Sequence, residues 1–350
     1  MSFVLGNRQI GPEFPPMIVA EMSGNHNGDL QRALAIVDAA AEAGAHALKI
    51  QTYTADTMTI DCRKPGFVID DPESLWAGRS LYDLYAEAHT PWDWHEPIFA
   101  RCAELGMLGF SAPFDSSAVD FLETLKVPCY KIASFEIVDI GLIRHVARCG
   151  KPIIISTGMS SVEEIEEAVA AAKGEGNEQI ILLKCTSSYP APPDSTHVSA
   201  IRTLAQRFGV YAGLSDHTHG IGVALASIAF GACLIEKHFT LSRADGGVDS
   251  AFSLEPAELK SLVEESDRAF RAIGIPELGM RSAEEASLAF RRSLYLVADT
   301  LAGEPLTTDN LRAIRPGFGL KPKHFESLLG RRLIKDADAG TPMTWDILED

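Results

Sequence analysis

No apolar run in the 350 residues is long enough to cross a bilayer, which removes a transmembrane reading. Met1 to Arg8 lack the basic region and long apolar core of a secretion signal. Cysteine is sparse: six residues, at 62, 102, 129, 149, 185 and 233, with no CxxC pair. Scattered in mostly apolar contexts, they predict buried thiols in a reducing compartment, and so a cytoplasmic protein. Positive charge is short as well, 31 Lys+Arg against 48 Asp+Glu, for a net charge of −17. A nucleic-acid surface needs basic patches and is excluded. An anionic ligand would need a local positive field built from a few side chains. The phosphate-binding glycine fingerprint after the first strand is also missing, which argues against a doubly wound nucleotide fold.

What is present is alternation. Short apolar runs at residues 17–21, 47–51, 109–112, 129–132, 153–156, 180–185, 211–214 and 233–239 each precede a stretch of helical periodicity, the last being Pro256 to Ile273. Eight βα units in about 270 residues predict a (β/α)8 TIM barrel, α/β in class, with its site at the C-terminal strand ends. The segment from Thr52 to His89 is too long for a simple connection and reads as a lid or substrate loop. From Ala286 onward nine Lys+Arg meet nine Asp+Glu, so the acidic excess lies earlier and a domain boundary is expected there. The expected division is a barrel over 1–280, a linker over 281–290 and a small β domain over 291–350. Strands are predicted at 293–298 and 331–334 of that domain, and two similar turn-rich phrases begin at Leu301 and Ala337.

Polar residues concentrate at the predicted strand ends: Glu21, Lys49 and Gln51, Ser111, Lys131 and Ser134, Ser156, Lys184 and Ser187, Ser215 and His217, Glu236 and His238. The unit from Tyr211 to Phe239 is the most telling. Its two strands end in Ser215 with His217 and Glu236 with His238, and Glu236-Lys-His interrupts an apolar run. Parallel strands joined by a helix share a rim, and residues two apart share a side. Two neutral imidazoles there suit a borderline or hard divalent metal with open positions. His219 lacks this symmetry and reads as a loop residue. Two lysines among serines offer point charges and donors to a small phosphorylated carboxylic acid; alternatively they only neutralise Glu21 and Glu236. A Schiff-base lysine is a further option, against which the histidines point to carbonyl polarisation by a metal.

Several phrases resemble the sialic acid synthase family. They are Ile18-Val-Ala-Glu-Met-Ser-Gly-Asn-His-Asn-Gly-Asp29, Lys49-Ile-Gln-Thr-Tyr53, Ser111-Ala-Pro-Phe-Asp115, Lys131-Ile-Ala-Ser-Phe-Glu136, Ile155-Ser-Thr-Gly-Met159, Cys185-Thr-Ser-Ser-Tyr-Pro190, Gly213-Leu-Ser-Asp-His-Thr218 and Glu236-Lys-His-Phe239. The tail, through Arg315-Pro-Gly-Phe-Gly319, resembles the family's antifreeze-like SAF domain. The resemblance implies condensation of phosphoenolpyruvate with an N-acetylated amino sugar. It implies phosphoenolpyruvate contacts at Lys49, Ser111, Lys131, Ser134, Ser156, Ser187 and Ser215, and metal ligation by His217 and His238, usually for manganese or magnesium, with cobalt also possible in activity assays. Glu21, Glu136, Glu236 and Asp249 match acidic positions around the sugar and the reacting water, either Glu21 or Glu236 handling that water. Tyr189 joins the implied substrate-binding set. Arg315 matches an arginine delivered by the small domain of a partner in a domain-swapped homodimer. Ser187 departs from the pattern, since neuraminate synthases tend to carry Asn there.

Within the family, Leu75-Trp-Ala-Gly-Arg-Ser-Leu-Tyr-Asp-Leu-Tyr85, His89-Thr-Pro-Trp-Asp-Trp-His95 and Asp249-Ser-Ala-Phe-Ser-Leu254 resemble the pseudaminic acid branch. The sugar so implied is 2,4-diacetamido-2,4,6-trideoxy-L-altrose; N-acetylneuraminate or legionaminate synthesis from another N-acetylated hexose is the alternative. Trp76, Tyr82, Tyr85, Trp92 and Trp94 could face a deoxy, diacetylated sugar or simply pack under a long loop. Outside the family, two readings stay open: a phosphoenolpyruvate enzyme acting on a sugar phosphate, and a non-catalytic sugar- or ice-binding module.

Overall fold

Eight parallel strands close into a barrel: β3 (Met17–Glu21), β4 (Ala47–Thr52), β5 (Leu108–Pro113), β6 (Tyr130–Ile132), β7 (Ile153–Ser156), β8 (Ile180–Cys185), β9 (Tyr211–Asp216) and β10 (Leu234–His238), with β10 paired to β3. The structure, a computed structural model, describes residues 3–349. Its chain forms two units, Met1–Gly274 and Ile275–Asp350. Among the described residues no helix is long and apolar enough to cross a membrane.

Helices return the chain between strands, and their starts are set locally. Asp29 accepts from Gln31 N at 2.8 Å, Asp139 from Leu142 N at 2.9 Å, and Ser161 forms a capping box with Glu164. Gly209 ends the helix Ala200–Phe208 in the left-handed region at φ 62°, where a side chain would be strained. The apolar strand residues divide between two cores. Val19, Ala47, Phe110, Ile154, Leu183 and Leu234 fill the barrel interior, while Ile18, Leu48, Ile50, Ile155 and Leu182 pack outward against the helices. Both strand faces are therefore apolar, as in parallel sheets generally.

A short hairpin precedes the barrel, β1 (Phe3–Leu5) and β2 (Arg8–Ile10), and its Leu5 and Ile10 join the interior core. The sequence carries no signal for it beyond a short apolar run. In the second unit, β11 (Ser293–Leu296) pairs with β12 (Leu311–Ile314). The strand expected at Arg331–Ile334 is not one: Arg332 and Leu333 make only isolated bridges, to Pro305 and Leu348. Leu333 still enters the small core with Leu294, Leu311 and Met343, so apolar spacing there reported burial without ladder pairing. The stretch expected as a linker carries a 3-10 helix, Ser282–Phe290.

Candidate active site

At the C-terminal strand ends the barrel interior turns from apolar to charged. Lys49 Nζ lies 2.8 Å from Glu21 Oε2 and 3.6 Å from Glu236 Oε1; Lys131 Nζ approaches the same Glu236 oxygen at 3.5 Å, and Ser215 Oγ at 3.4 Å. All four charges are buried. Burial alone would raise Glu236, but Lys131 and Lys49 outweigh it and keep its pKa below the usual carboxylate range. Burial wins at Glu21, which is raised despite Lys49. Burial likewise opposes the Lys49 ammonium, but Glu21 and Glu236 more than offset it; at Lys131 burial prevails and the pKa falls. The two carboxylates around Lys49 are thus pushed in opposite directions, Glu21 up by burial and Glu236 down by its lysines.

Beside this cluster lies a cradle of hydroxyls. Ser134 Oγ accepts from Gly158 N at 3.1 Å, and a Cβ on Gly158 would fall 2.8 Å from Ser134 Oγ and 2.2 Å from Ser187 Oγ. Glycine thus lets both hydroxyls sit where they do, since a Cβ would displace them. Ser156 Oγ is buried with no hydrogen-bond partner among the described residues. Such orphaned donors mark a place for another group.

His217 and His238 face each other with ring centroids 5.4 Å apart. His217 Nδ1 sits 3.0 Å from the Thr186 carbonyl, which assigns the proton to that nitrogen and leaves Nε2 as a lone pair. Burial lowers His217, but Cys185 and the Thr186 carbonyl reverse that, and the net direction is up. At His238 burial and the surrounding cations hold the imidazole well below its ordinary range, hence neutral, and its buried Nδ1 has no hydrogen-bond partner among the described residues. Asp249 Oδ2 is 3.9 Å from that nitrogen and accepts from Ser23 Oγ at 2.5 Å. Among the described residues no three His, Cys, Asp or Glu side chains form a ready-made ligand cluster. Two converging imidazoles, one orphaned, fit a divalent ion that keeps positions open for oxygen ligands.

The site opens into a cavity of about 370 Å³. One side carries Ser23, Gln51, Glu136, Tyr189, His238 and Asp249; the other is built by Met58, Ile69, Trp76, Leu81, Leu84 and Tyr85 from the segment after β4. Burial pushes the Glu136 carboxyl up to about 7, and its Oε2 lacks a partner among the described residues. Gln51 links the two halves, donating to Glu21 Oε1 at 2.9 Å and Ser23 Oγ at 3.1 Å. Trp76 Nε1 donates to Val248 O at 2.8 Å and fastens the insertion to the loop after β10. The aromatics divide accordingly. Trp76 and Tyr85 line the cavity, whereas Trp92 stacks on Phe121, Trp94 packs edge-on against His26, and Tyr82 bonds Asp56.

Ser111 is a correction. It pairs in register with Ile50, whose side chain packs outward, and its hydroxyl bonds Thr52 Oγ1 at 2.6 Å and Ile50 O at 3.0 Å. Thr52 in turn meets His95 Nε2 in the helix layer at 2.7 Å. Ser111 is thus engaged outside the barrel. Lys184 also turns away, donating to Cys185 O. Arg315 lies exposed just past β12 in the second unit. Cys185, read from the sequence only as a buried thiol, has its Sγ 4.0 Å from His217 Nδ1. Ser23 carries no local signal of its role, since its contact with Asp249 spans 226 residues.

The NeuB family profile matches residues 36–277, and that of the SAF domain residues 291–349. The chain belongs to the NeuB family. It is 41% identical to the pseudaminic acid synthase of Helicobacter pylori over 96% of this chain and 98% of that one. Identity to the N,N'-diacetyllegionaminic acid synthase of Legionella pneumophila is 35%, over 98% of each. Among solved structures, the N-acetylneuraminic acid synthetase of Leptospira borgpetersenii in complex with citrate superposes with a TM-score of 0.73 at 34% identity, covering 82% of this chain and 95% of that one. In this NeuB protein the SAF match, residues 291–349, falls within the second unit, Ile275–Asp350.

Proposed function

We propose that this NeuB-family chain is a pseudaminic acid synthase, condensing phosphoenolpyruvate with 2,4-diacetamido-2,4,6-trideoxy-L-altrose and water to give pseudaminic acid and phosphate. The observation that carries the reading is the polarity of the cavity. Its lining joins polar groups (Ser23, Gln51, Glu136, His238 and Asp249), which adjoin the buried lysine cluster through the Gln51–Glu21–Lys49 contacts, to an apolar wall from the segment after β4. A phosphorylated carboxylate fits the first and a methyl-bearing, deoxygenated sugar face fits the second, since a hydroxyl pressed on that wall would lose its hydrogen bonds. The likeness to pseudaminic acid synthases supports the same sugar.

Lys131 and the hydroxyls of Ser134, Ser156 and Ser187 hold the phosphate and carboxylate of phosphoenolpyruvate, with Lys49 beside its C2. His217 and His238 hold a divalent ion, manganese or magnesium, which supplies polarisation of the sugar aldehyde when bound. C3 of phosphoenolpyruvate bonds to the aldehyde carbon, cationic character develops at C2, and water adds there. Glu236, kept ionised by its lysines, is suited to accept the water's proton; Glu21, raised by burial, is suited to supply one to the aldehyde oxygen. The tetrahedral intermediate expels phosphate with C–O cleavage. Asp249, Glu136, Gln51 and Tyr189 line the sugar's side. We further place the enzyme in the cytoplasm, as a homodimer in which the partner subunit's Arg315 completes the sugar site.

A phosphate-release assay with phosphoenolpyruvate tests this. The diacetamido trideoxy altrose should turn over at least tenfold more efficiently than N-acetylmannosamine or the diacetamido precursor of legionaminic acid. Equal or reversed preference would assign the other sugar, and release with none of them would end the synthase reading.

A further inference from the structure

The reaction scheme leaves two buried charged residues without a role. Asp216 and Lys237 each directly precede an imidazole, and they are register partners across β9 and β10. With alternate side chains, they face the helix layer while His217 and His238 face the barrel interior. Lys237 Nζ donates to Asp216 Oδ2 at 2.9 Å and to the Thr218 carbonyl at 2.7 Å, and Asp216 Oδ1 accepts from Thr218 N at 2.9 Å. The side chains of Lys237 and Asp216 are 0% and 1% exposed.

We propose that Lys237 and Asp216 are positioning residues for the imidazole pair, bracketing the backbone of His217 and tying it to the residue that carries His238. The N–H and C=O of Thr218 and the carboxylate of Asp216 are all engaged, so the two peptide groups that follow His217 are held by side chains. The fixing atom belongs to the neighbouring strand, so the Lys237 ammonium adds a side-chain tie between the two imidazole-bearing strand ends to the backbone ladder that pairs them. A buried ion pair contributes little net stability relative to apolar side chains of the same volume. Its position between the two imidazole-bearing strand ends accounts for it better than stability does. By contrast, the outward Lys184, one strand away, is half-buried and bonds only the adjacent carbonyl.

This inference rests on the metal-binding reading of the imidazoles, and the test separates the two. Mn2+ affinity is measured by electron paramagnetic resonance of free ion, without substrates, on wild type, His238→Ala and the double variant Asp216→Asn/Lys237→Met. The double variant removes both charges together and so avoids stranding one, while Asn keeps an acceptor for Thr218 N–H. Asp216→Asn alone is the second variant should the double one fail to fold. The expected result is wild-type binding, loss in His238→Ala, and affinity weakened about 10–100-fold in the bracket variants with a folded circular dichroism spectrum. Wild-type affinity in a folded bracket variant overturns the bracket alone. A wild type that binds no Mn2+ removable by His238→Ala overturns the metal reading and the bracket with it.

Discussion

At the scale of single residues the site is governed by burial without compensation. Ser156 Oγ, Glu136 Oε2 and His238 Nδ1 are polar atoms out of water and, among the described residues, without partners. Leaving such groups unsatisfied costs roughly 1–3 kcal/mol each, a penalty that a bound ligand removes. The Ser134–Gly158–Ser187 cradle allows a sharp test. A methyl on Gly158 would collide with both hydroxyls, and since these are rotatable ends they would turn away rather than break the fold. Gly158→Ala should therefore raise the KM for phosphoenolpyruvate by about tenfold or more, the effect of losing one charged hydrogen bond of roughly 1.5–3 kcal/mol. Steady-state kinetics beside a thermal melt would check it; unchanged KM would remove the cradle from the anion site.

The elements show how little of the barrel is given to binding. Most strands contribute a lower layer of apolar side chains and an upper polar one, β5 with inward Phe110 and Ala112 being an exception, and the hairpin β1–β2 closes the lower end with Leu5 and Ile10. That makes the hairpin part of the core despite its three-residue strands. Leu5→Ala should destabilise the barrel by about 2–5 kcal/mol, since it leaves a hole among Met17, Phe110 and Leu234. Urea denaturation would measure it, and a loss under ~0.5 kcal/mol would mean that the hairpin is not seated as described. The segment after β4 is an element of the opposite kind. Its helices Ala55–Met58 and Leu81–Ala88 carry a cavity wall held by the Trp76 indole hydrogen bond and by aromatic contacts of Trp76 with Tyr189 and Tyr85 with Tyr53, so it shapes the site without belonging to the barrel.

For the whole molecule, acid sensitivity follows from three histidines, His26 and His95 buried and His46 half-buried. Burial holds His26, His46 and His95 each at about 4, against 6.5 in an unfolded chain. Between those values the unfolded state binds more protons, so stability is full above pH 6.5 and falls as the pH drops toward 4. At about 1.4 kcal/mol per pKa unit the three together are worth several kcal/mol, an order of magnitude that rivals the stability of an ordinary domain. Urea midpoints measured from pH 7.5 down to 4.5 should decline steeply below 6.5. The triple variant replacing these histidines with Gln or Asn should flatten that decline if it folds, and an undiminished slope in it would assign the acid response to other groups.

The succession of strands and helices was legible in the sequence because it is local: apolar period, caps and turn glycines lie within a few residues of what they specify. So was the upper polar layer, because charged residues interrupting apolar strands have few other places to go. Which side a residue takes was not legible wherever both faces of a strand are apolar. Phe110 and Ser111 sit in such a strand, and only the ladder with β4 sends Phe110 inward and Ser111 out to Thr52. Contacts between chain ends were equally hidden. Closure pairs His238 with Glu21, 217 residues away, and loop packing sets Asp249 on Ser23 and Cys185 beside His217. Sequence by itself determined the inventory of the site, since residue types and strand ends are written locally. Tertiary structure decided its partners, because those distances depend on barrel closure and on loops packed against distant parts of the chain.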